Sequence, residues 1–356
     1  MVPADTAKEI LKELIAIPSV SGKEKEVLEY IEKKLVKFGL NLKRQEIEKD
    51  RYNLVYDNGS EFLISVHVDT VPPMDFKKAF EAQEKNGKIY GRGASDVKGA
   101  IASLITAIEW FKTDFPEEDL PVSLAFVVDE EQNSALGSER LPQFLEGKKK
   151  CLVLEPTYGL LCTKQYGAIE FSIKITCKSA HGAEFEKVEN PVKVFIKVLK
   201  AIEENLRREV NVIMVKSGSR VYAVPKKCEA LLEFKVFEGE KVKELVEKLE
   251  NIVKSVNTCC TVEINIEDAE EFQIFKTDGL LPLLKKALER AGGEAKEGIM
   301  PSWTDASNYT KIGYHCVVFG YGSLLDSHTN RESISVEELE KFTKFFYELF
   351  KELKRF

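Results

Sequence analysis

Histidine is scarce in this chain, with four among 356 residues, alongside two tryptophans and four methionines. That scarcity makes the settings of His67, His181, His315 and His328 informative. Long apolar runs are also lacking, and no stretch approaches the ~18 residues that a membrane span requires. Residues Met1 to Asp5 have neither a basic n-region nor an apolar h-region. These absences predict a cytoplasmic protein that stays off the membrane. The longest basic run is Lys148-Lys149-Lys150 and the net charge is −7, so nothing invites nucleic acid or an anionic bilayer. The cysteines Cys151, Cys162, Cys177, Cys228, Cys259, Cys260 and Cys316 are odd in number, scattered and without a C-x-x-C pair. They are expected to be reduced, buried small hydrophobes. Repeats and low-complexity segments are absent.

What is present reads as an ordinary globular chain, 31% charged and 44% hydrophobic, long enough for about two domains. Two helices open it, the second preceded by a capping-box pattern at Ser21 and Glu24. Apolar runs at Tyr52 to Tyr56, Phe62 to Val68, Val122 to Val128 and Leu152 to Leu154 alternate with a helix over Ala100 to Phe111. Short, fully apolar strands between helices indicate an α/β layer with a mostly parallel sheet. From Ala168 the pattern changes to βαββαβ, ending at Ile266, which is the order of a ferredoxin-like α+β sandwich. The predicted division is a catalytic domain over 1–165 and 274–356, with an inserted domain over 166–273. A final helix from Ser335 carries a second capping box at Ser335 and Glu338.

In a parallel sheet, ligands sit beyond the carboxyl ends of the strands. His67 and Asp69 fall at one such end, Glu130 and Glu131 at another, and Glu155 at a third. Side chains two apart on a strand share a face, so Asp69 can stand beside a metal-bound His67. Asp96 sits at a glycine-bounded junction before a helix, and His328 lies in a loop. Counting His67, Asp96, Glu131, Glu155 and His328 with Asp96 shared gives two metals three protein ligands each, leaving room for a water. Zinc fits this donor set best, and cobalt or manganese is also accepted. Of two adjacent glutamates only one can ligate, which leaves the other as a general base. His315 enters an apolar strand and reads as structural. The Gly91-x-Gly93 pair fails the G-x-G-x-x-G spacing of a dinucleotide site.

These stretches together resemble the M20 metallopeptidase family, which includes acetylornithine deacetylase and succinyl-diaminopimelate desuccinylase. The matching signatures are His67-Val68-Asp69-Thr70-Val71-Pro72-Pro73, Gly91 to Gly99, Asp129-Glu130-Glu131, Glu155-Pro156-Thr157, Ser179-Ala180-His181, Ser302-Trp303-Thr304-Asp305 and His328 to Glu332. The resemblance implies a zinc-exopeptidase-like catalytic domain with an inserted lid that dimerises. It implies that His67 and Glu155 hold one metal, Glu131 and His328 the other, and that Asp96 bridges. Asp69 would orient His67, Glu130 would act as the base, and His181 would reach a partner's site to stabilise the oxyanion. Asn190 and Thr304 would line the substrate side.

The substrate-reading surface departs from that pattern. Where many relatives carry Asn-x-x-Pro and then an Asp-x-Arg strand, this chain has Tyr222-Ala223-Val224-Pro225 and Glu233-Phe234-Lys235. Lys235 is a point charge in place of a bidentate fork. The expected activity is hydrolysis of N-acyl amino acids of the acetylornithine or succinyl-diaminopimelate type, free or carrier-linked. The alternatives are a dipeptidase or carboxypeptidase with the same chemistry, and a non-catalytic ligand-binding paralogue.

Overall fold

Three of the four apolar runs, joined by the strand after Tyr314, become the centre of one sheet. Ser123–Val127, Phe62–His67, Lys150–Leu154 and His315–Phe319 lie side by side in that order, all parallel. Every residue of the first two is buried, as expected for strands covered on both faces. Antiparallel strands flank this core, Arg51–Tyr56 and then Leu42–Glu48 on one side and Leu161–Gln165 on the other. The turn at Asp57-Asn58-Gly59 makes no hairpin, because Ser123–Val127 inserts between the strands that the turn connects. The computed structural model describes residues 3–132, 135–145 and 147–354. These group into two compact units, one up to Lys164 with Ile274–Met300 and the residues from Thr304 onward, the other Gln165–Gln273 with Pro301–Trp303.

In the first unit, helix Lys98–Asp114 packs on both Pro3–Ile15 and Val336–Lys354. The last of these presents Phe342, Phe345 and Phe346, with Phe345 4.7 Å centroid to centroid from Phe319. Its capping box closes: Glu338 N–H donates to Ser335 Oγ at 3.1 Å and Ser335 N–H to Glu338 Oε2 at 2.9 Å. The same pattern at Ser21 does not close. Helix Lys25–Val36 starts without a side-chain cap, and Ser21 Oγ donates instead to Asp69 Oδ2 at 2.7 Å. Among the described residues, no helix is long and apolar enough to cross a membrane.

The second unit contains strands Gly167–Thr176, Asn211–Ser217, Lys227–Val236 and Thr261–Glu270 with helices Pro191–Leu206 and Val242–Ser255. Its sheet is wholly antiparallel, in the order Asn211–Ser217, Lys227–Val236, Gly167–Thr176, Thr261–Glu270. Alternate residues of the long strands, such as Phe171, Leu232 and Phe234, face a core shared with Val198 and Leu249.

One expectation about the cysteines fails here. Cys177 and Cys260 form a disulfide, and Cys259 is exposed, whereas Cys151, Cys162, Cys228 and Cys316 are free and buried as expected. The bridge closes a sequence separation of 83 residues, and a loop of that length restricts the unfolded chain strongly. Cys177→Ala is expected to lower the unfolding free energy by ~2–4 kcal/mol. The check is guanidinium unfolding of wild type with and without reductant beside the variant; coincident curves for oxidised and reduced protein would refute it.

Candidate metal centre

The carboxyl ends of the parallel strands bring the acidic residues and two histidines together. Register pairs His67 with Val127, so the chain leaving Val127 passes His67 as Asp129-Glu130-Glu131. Glu155 directly follows Lys150–Leu154. Asp96 stands between two imidazoles: its Oδ1 lies 3.1 Å from His67 Nε2 and its Oδ2 lies 3.5 Å from His328 Nε2. Glu155 Oε2 is 3.7 Å from His67 Nε2, and Glu131 Oε2 is 2.9 Å from His328 Nε2. Ligand atoms of His67, Asp96 and Glu131 fall within 4.8 Å of one another, and so do those of His67, Glu130 and Glu155. Glu130 therefore stands closer to the cluster than the ligand count alone predicts.

A hydrogen-bond network from outside the cluster holds these groups. His67 Nδ1 is 3.1 Å from the Asp69 carbonyl oxygen and 3.7 Å from Asp69 Oδ1, so the main chain is the nearer partner. The Asp69 carboxylate is occupied elsewhere. It accepts from Glu130 N–H at 3.2 Å, Glu131 N–H at 3.0 Å and the Ser21 hydroxyl, which fixes the glutamate pair. The bend before that pair places Asp129 at φ 73°. Arg51 holds Asp129 there, donating to its Oδ1 at 2.7 Å and to Glu24 Oε1 at 2.6 Å. His328 is likewise left-handed, at φ 62°. Gly93, at φ 85°, serves close packing: a Cβ there would lie 2.8 Å from Lys98 Cδ.

Glu332 does for Asp96 what Asp69 does for the glutamates. It accepts from the Ser95 and Asp96 amides at 3.3 and 3.2 Å and from Arg92 Nη1 at 2.6 Å. Both members of that ion pair are buried. Removing one strands the other in low dielectric, so Arg92→Ala is expected to destabilise the fold by ~3–5 kcal/mol. A loss under ~1 kcal/mol in denaturant titration would place the pair in effective contact with solvent.

The donor set fits divalent cations. Oε1 of Glu131 and of Glu155 are shielded from solvent and accept no hydrogen bond among the described residues, a costly state for a carboxylate without a cation. Burial pushes Glu131 and Glu155 up to about 7, and burial together with Glu155 pushes Glu130 well above its ordinary range. Burial works the same way on Asp96, but hydrogen bonds from His328 and His67 outweigh it and hold that carboxyl low. Burial opposes the charged form of His328, yet Asp96 and Glu131 raise it to about 10. Bound cations would replace this proton-shared balance with fully ionised carboxylates.

The other predicted site residues have these settings. Thr304 is buried, and its Oγ1 accepts from Ala306 N–H at 3.3 Å at the start of helix Ala306–Lys311. In the second unit His181 is exposed, and its Nδ1 accepts from Ala183 N–H at 3.2 Å. Asn190 Oδ1 caps helix Pro191–Leu206 through Val192 N–H at 2.9 Å. Lys235 is exposed, its Nζ 5.1 Å from the centroid of the Tyr166 ring. Nothing local in the sequence marks Arg51, and Asp305 stands out only as the last residue of the Ser302-Trp303-Thr304-Asp305 signature; it is a buried carboxyl that burial raises to about 7 and that the Ser138 hydroxyl contacts.

A cluster of carboxylates and two imidazoles beyond the ends of a parallel sheet, buried at His67, Asp96 and Glu155 and open at His328, defines the class: a metallohydrolase of α/β fold. The chain belongs to peptidase family M20/M25/M40, whose profile matches residues 63–352. Enzymes of this family depend on a dinuclear metal centre and act on small amide or peptide substrates. Among its relatives is a [LysW]-lysine/[LysW]-ornithine hydrolase of Saccharolobus islandicus, 26% identical over 94% of this chain and 92% of the relative. A succinyl-diaminopimelate desuccinylase of Pelagibacter ubique is 25% identical over 96% and 97%. The crystal structure of a tripeptidase from Staphylococcus aureus superposes with a TM-score of 0.81 over all of both chains, at 18% identity.

Proposed function

We propose that this protein hydrolyses the amide bond of N-acyl amino acids, of the acetylornithine or succinyl-diaminopimelate type or with lysine or ornithine on a carrier. The observation that carries the reading is Asp96 placed between His67 and His328, with Glu130 beside them and no sulfur donor in the cluster. The names of the two relatives support the substrate class. His67, Asp96 and Glu155 would hold one divalent ion and Glu131, His328 and Asp96 a second, zinc fitting best and cobalt or manganese accepted. Bound there, the ions supply Lewis acidity and lower the pKa of water. Glu130 accepts the proton of the attacking water at a carboxylate oxygen and delivers it to the leaving nitrogen.

Within this reading the second unit is a ferredoxin-like lid and dimerisation domain. Its strand order supports the first part. The exposed Val212, Ile213, Met214 and Val215 on edge strand Asn211–Ser217 support the second. Because Nδ1 of His181 is an acceptor, the neutral ring carries its proton on Nε2, ready to donate to the oxyanion in a partner's site. Such a donor is worth ~3 kcal/mol. Asn190, Lys235 and Thr304 line the substrate side, with Lys235 offered to a substrate carboxylate.

Action across a dimer has a direct test. His181→Ala and Glu130→Gln proteins, each nearly inactive, should on mixing and re-equilibration regain roughly a quarter of wild-type activity, because half the dimers are mixed and one of their two sites is complete. No recovery in a verified mixed dimer would show that His181 does not act in trans. Substrate class is settled by assaying zinc- and cobalt-loaded protein on N-acetyl, N-succinyl and dipeptide substrates. Turnover of dipeptides alone would replace the deacylase reading with a peptidase, and no turnover with both metals bound would favour the ligand-binding paralogue.

A further inference from the structure

The second unit carries a cluster that the hydrolytic reaction does not use. Cys259 Sγ, Cys260 Sγ and a carboxylate oxygen of Glu189 lie within 4.8 Å of one another, and Cys177 Sγ is bonded to Cys260. Three sulfurs and one carboxylate therefore share one spot. They come from three separate places in the fold. Cys177 follows strand Gly167–Thr176, Glu189 precedes the cap of helix Pro191–Leu206, and Cys259 and Cys260 lead into strand Thr261–Glu270. Glu189 is held facing the sulfurs: its Oε2 accepts from Cys259 N–H at 2.7 Å and from the Thr258 hydroxyl, and its Oε1 pairs with Lys197 at 3.1 Å. Cys177 N–H donates to the Lys226 carbonyl at 2.8 Å, a backbone tie that does not depend on the sulfur.

While the disulfide is closed, two of the sulfurs are committed to each other, and one thiol with one carboxylate is too small a set for a tetrahedral ion. A dithiol reductant changes that count. It delivers two electrons and two protons, the Cys177–Cys260 bond opens to two thiols, and the reductant becomes the disulfide. We propose that the reduced protein binds one thiophilic divalent cation, such as zinc, through Cys177, Cys259, Cys260 and Glu189. Binding displaces three thiol protons, since only thiolates ligate. Sulfurs on one tetrahedral zinc, at ~2.3 Å from it, stand about 3.8 Å apart, inside the 4.8 Å that spans Cys259, Cys260 and Glu189, and opening the disulfide lets the Cys177 and Cys260 sulfurs draw apart to that separation. The donor softness separates this site from the hydrolytic centre, whose oxygen and nitrogen ligands suit harder ions. A covalent tie between the three segments is thereby exchanged for a metal tie.

Cobalt(II) titration of the full-length protein tests this, because thiolate-to-cobalt charge transfer can arise only where sulfur ligates. The protein is reduced with a phosphine, freed of it, and compared with oxidised protein. The reduced protein should develop a near-ultraviolet charge-transfer band that saturates at about one equivalent beyond the hydrolytic centre's share. The oxidised protein should lack it. Cys259→Ser, which leaves the bridging pair intact, should weaken cobalt binding in the band at least ~10-fold, as should Glu189→Gln. A missing band in the reduced, folded protein would overturn the proposal, and so would a band that keeps its wild-type cobalt affinity in Cys259→Ser or appears before reduction. Because no catalytic readout is used, failure here leaves the hydrolase reading untouched.

Discussion

Glu130→Gln is expected to lower kcat by ~10³-fold, within the span that general acid–base catalysis contributes, while bound metal and KM stay close to wild type. Glutamine keeps the volume and the backbone of the residue, including the amide that donates to Asp69 Oδ1 at 3.2 Å, and removes only the ability to take a proton. The carboxylates nearest the Nε2 atoms of the two histidines are those of Asp96, Glu131 and Glu155, not that of Glu130. Steady-state kinetics together with metal analysis separates the two roles. A loss under tenfold with two ions bound would remove Glu130 as the base, and a loss accompanied by metal depletion would make it a ligand.

Stripping the metals should make stability strongly dependent on pH. Glu131 and Glu155 titrate near 7 in the fold against ordinary values of 4.5. A carboxyl raised in the fold contributes stability that is full below pH ~4.5 and is lost as pH rises through about 7. His328, raised from 6.5 to about 10, contributes stability that is lost only at still higher pH, in the same direction. Asp96, held low, contributes evenly across this window. The chelated protein should therefore melt progressively earlier from pH 5 to pH 8, by on the order of 10 °C. Zinc should abolish the slope, because bound cations neutralise the carboxylates and stabilise the fold by mass action, by ~4 kcal/mol at a thousandfold excess over Kd. A flat melting profile for the chelated protein would show that the carboxylates are not confined as the geometry describes.

How much of this could be read from the chain depended on whether a signal was local. Phe62–His67 and Ser123–Val127 announce themselves because strands buried on both faces need no polar alternation, and the acidic residues after them inherit the strand ends. Leu42–Glu48 was hidden because it is a charged edge strand in which only Ile47 is buried. Capping chemistry shows the same limit. Ser335 and Ser21 carry one pattern, but only Ser335 caps; Ser21 is taken by Asp69, 48 residues away in sequence. Asn190 before Pro191 is a helix-start signature, and its amide oxygen is spent on that cap. The Cys177–Cys260 bridge is a purely tertiary fact, with Cα atoms 4.5 Å apart and nothing in the spacing to announce it.

The ties from Ser21 to Asp69, from Arg51 to Asp129, and from Lys98 Nζ to the carbonyls of Leu14 and Ile17 all reach into sequence that precedes the family match at residue 63. The first sixty residues therefore answer to the metal site while standing outside the signature by which the site is recognised. A chain trimmed to the matched region would keep every candidate ligand and lose the scaffolding that aims the glutamate pair. This amino-terminal segment is one place where the centre can be re-tuned without touching a ligand.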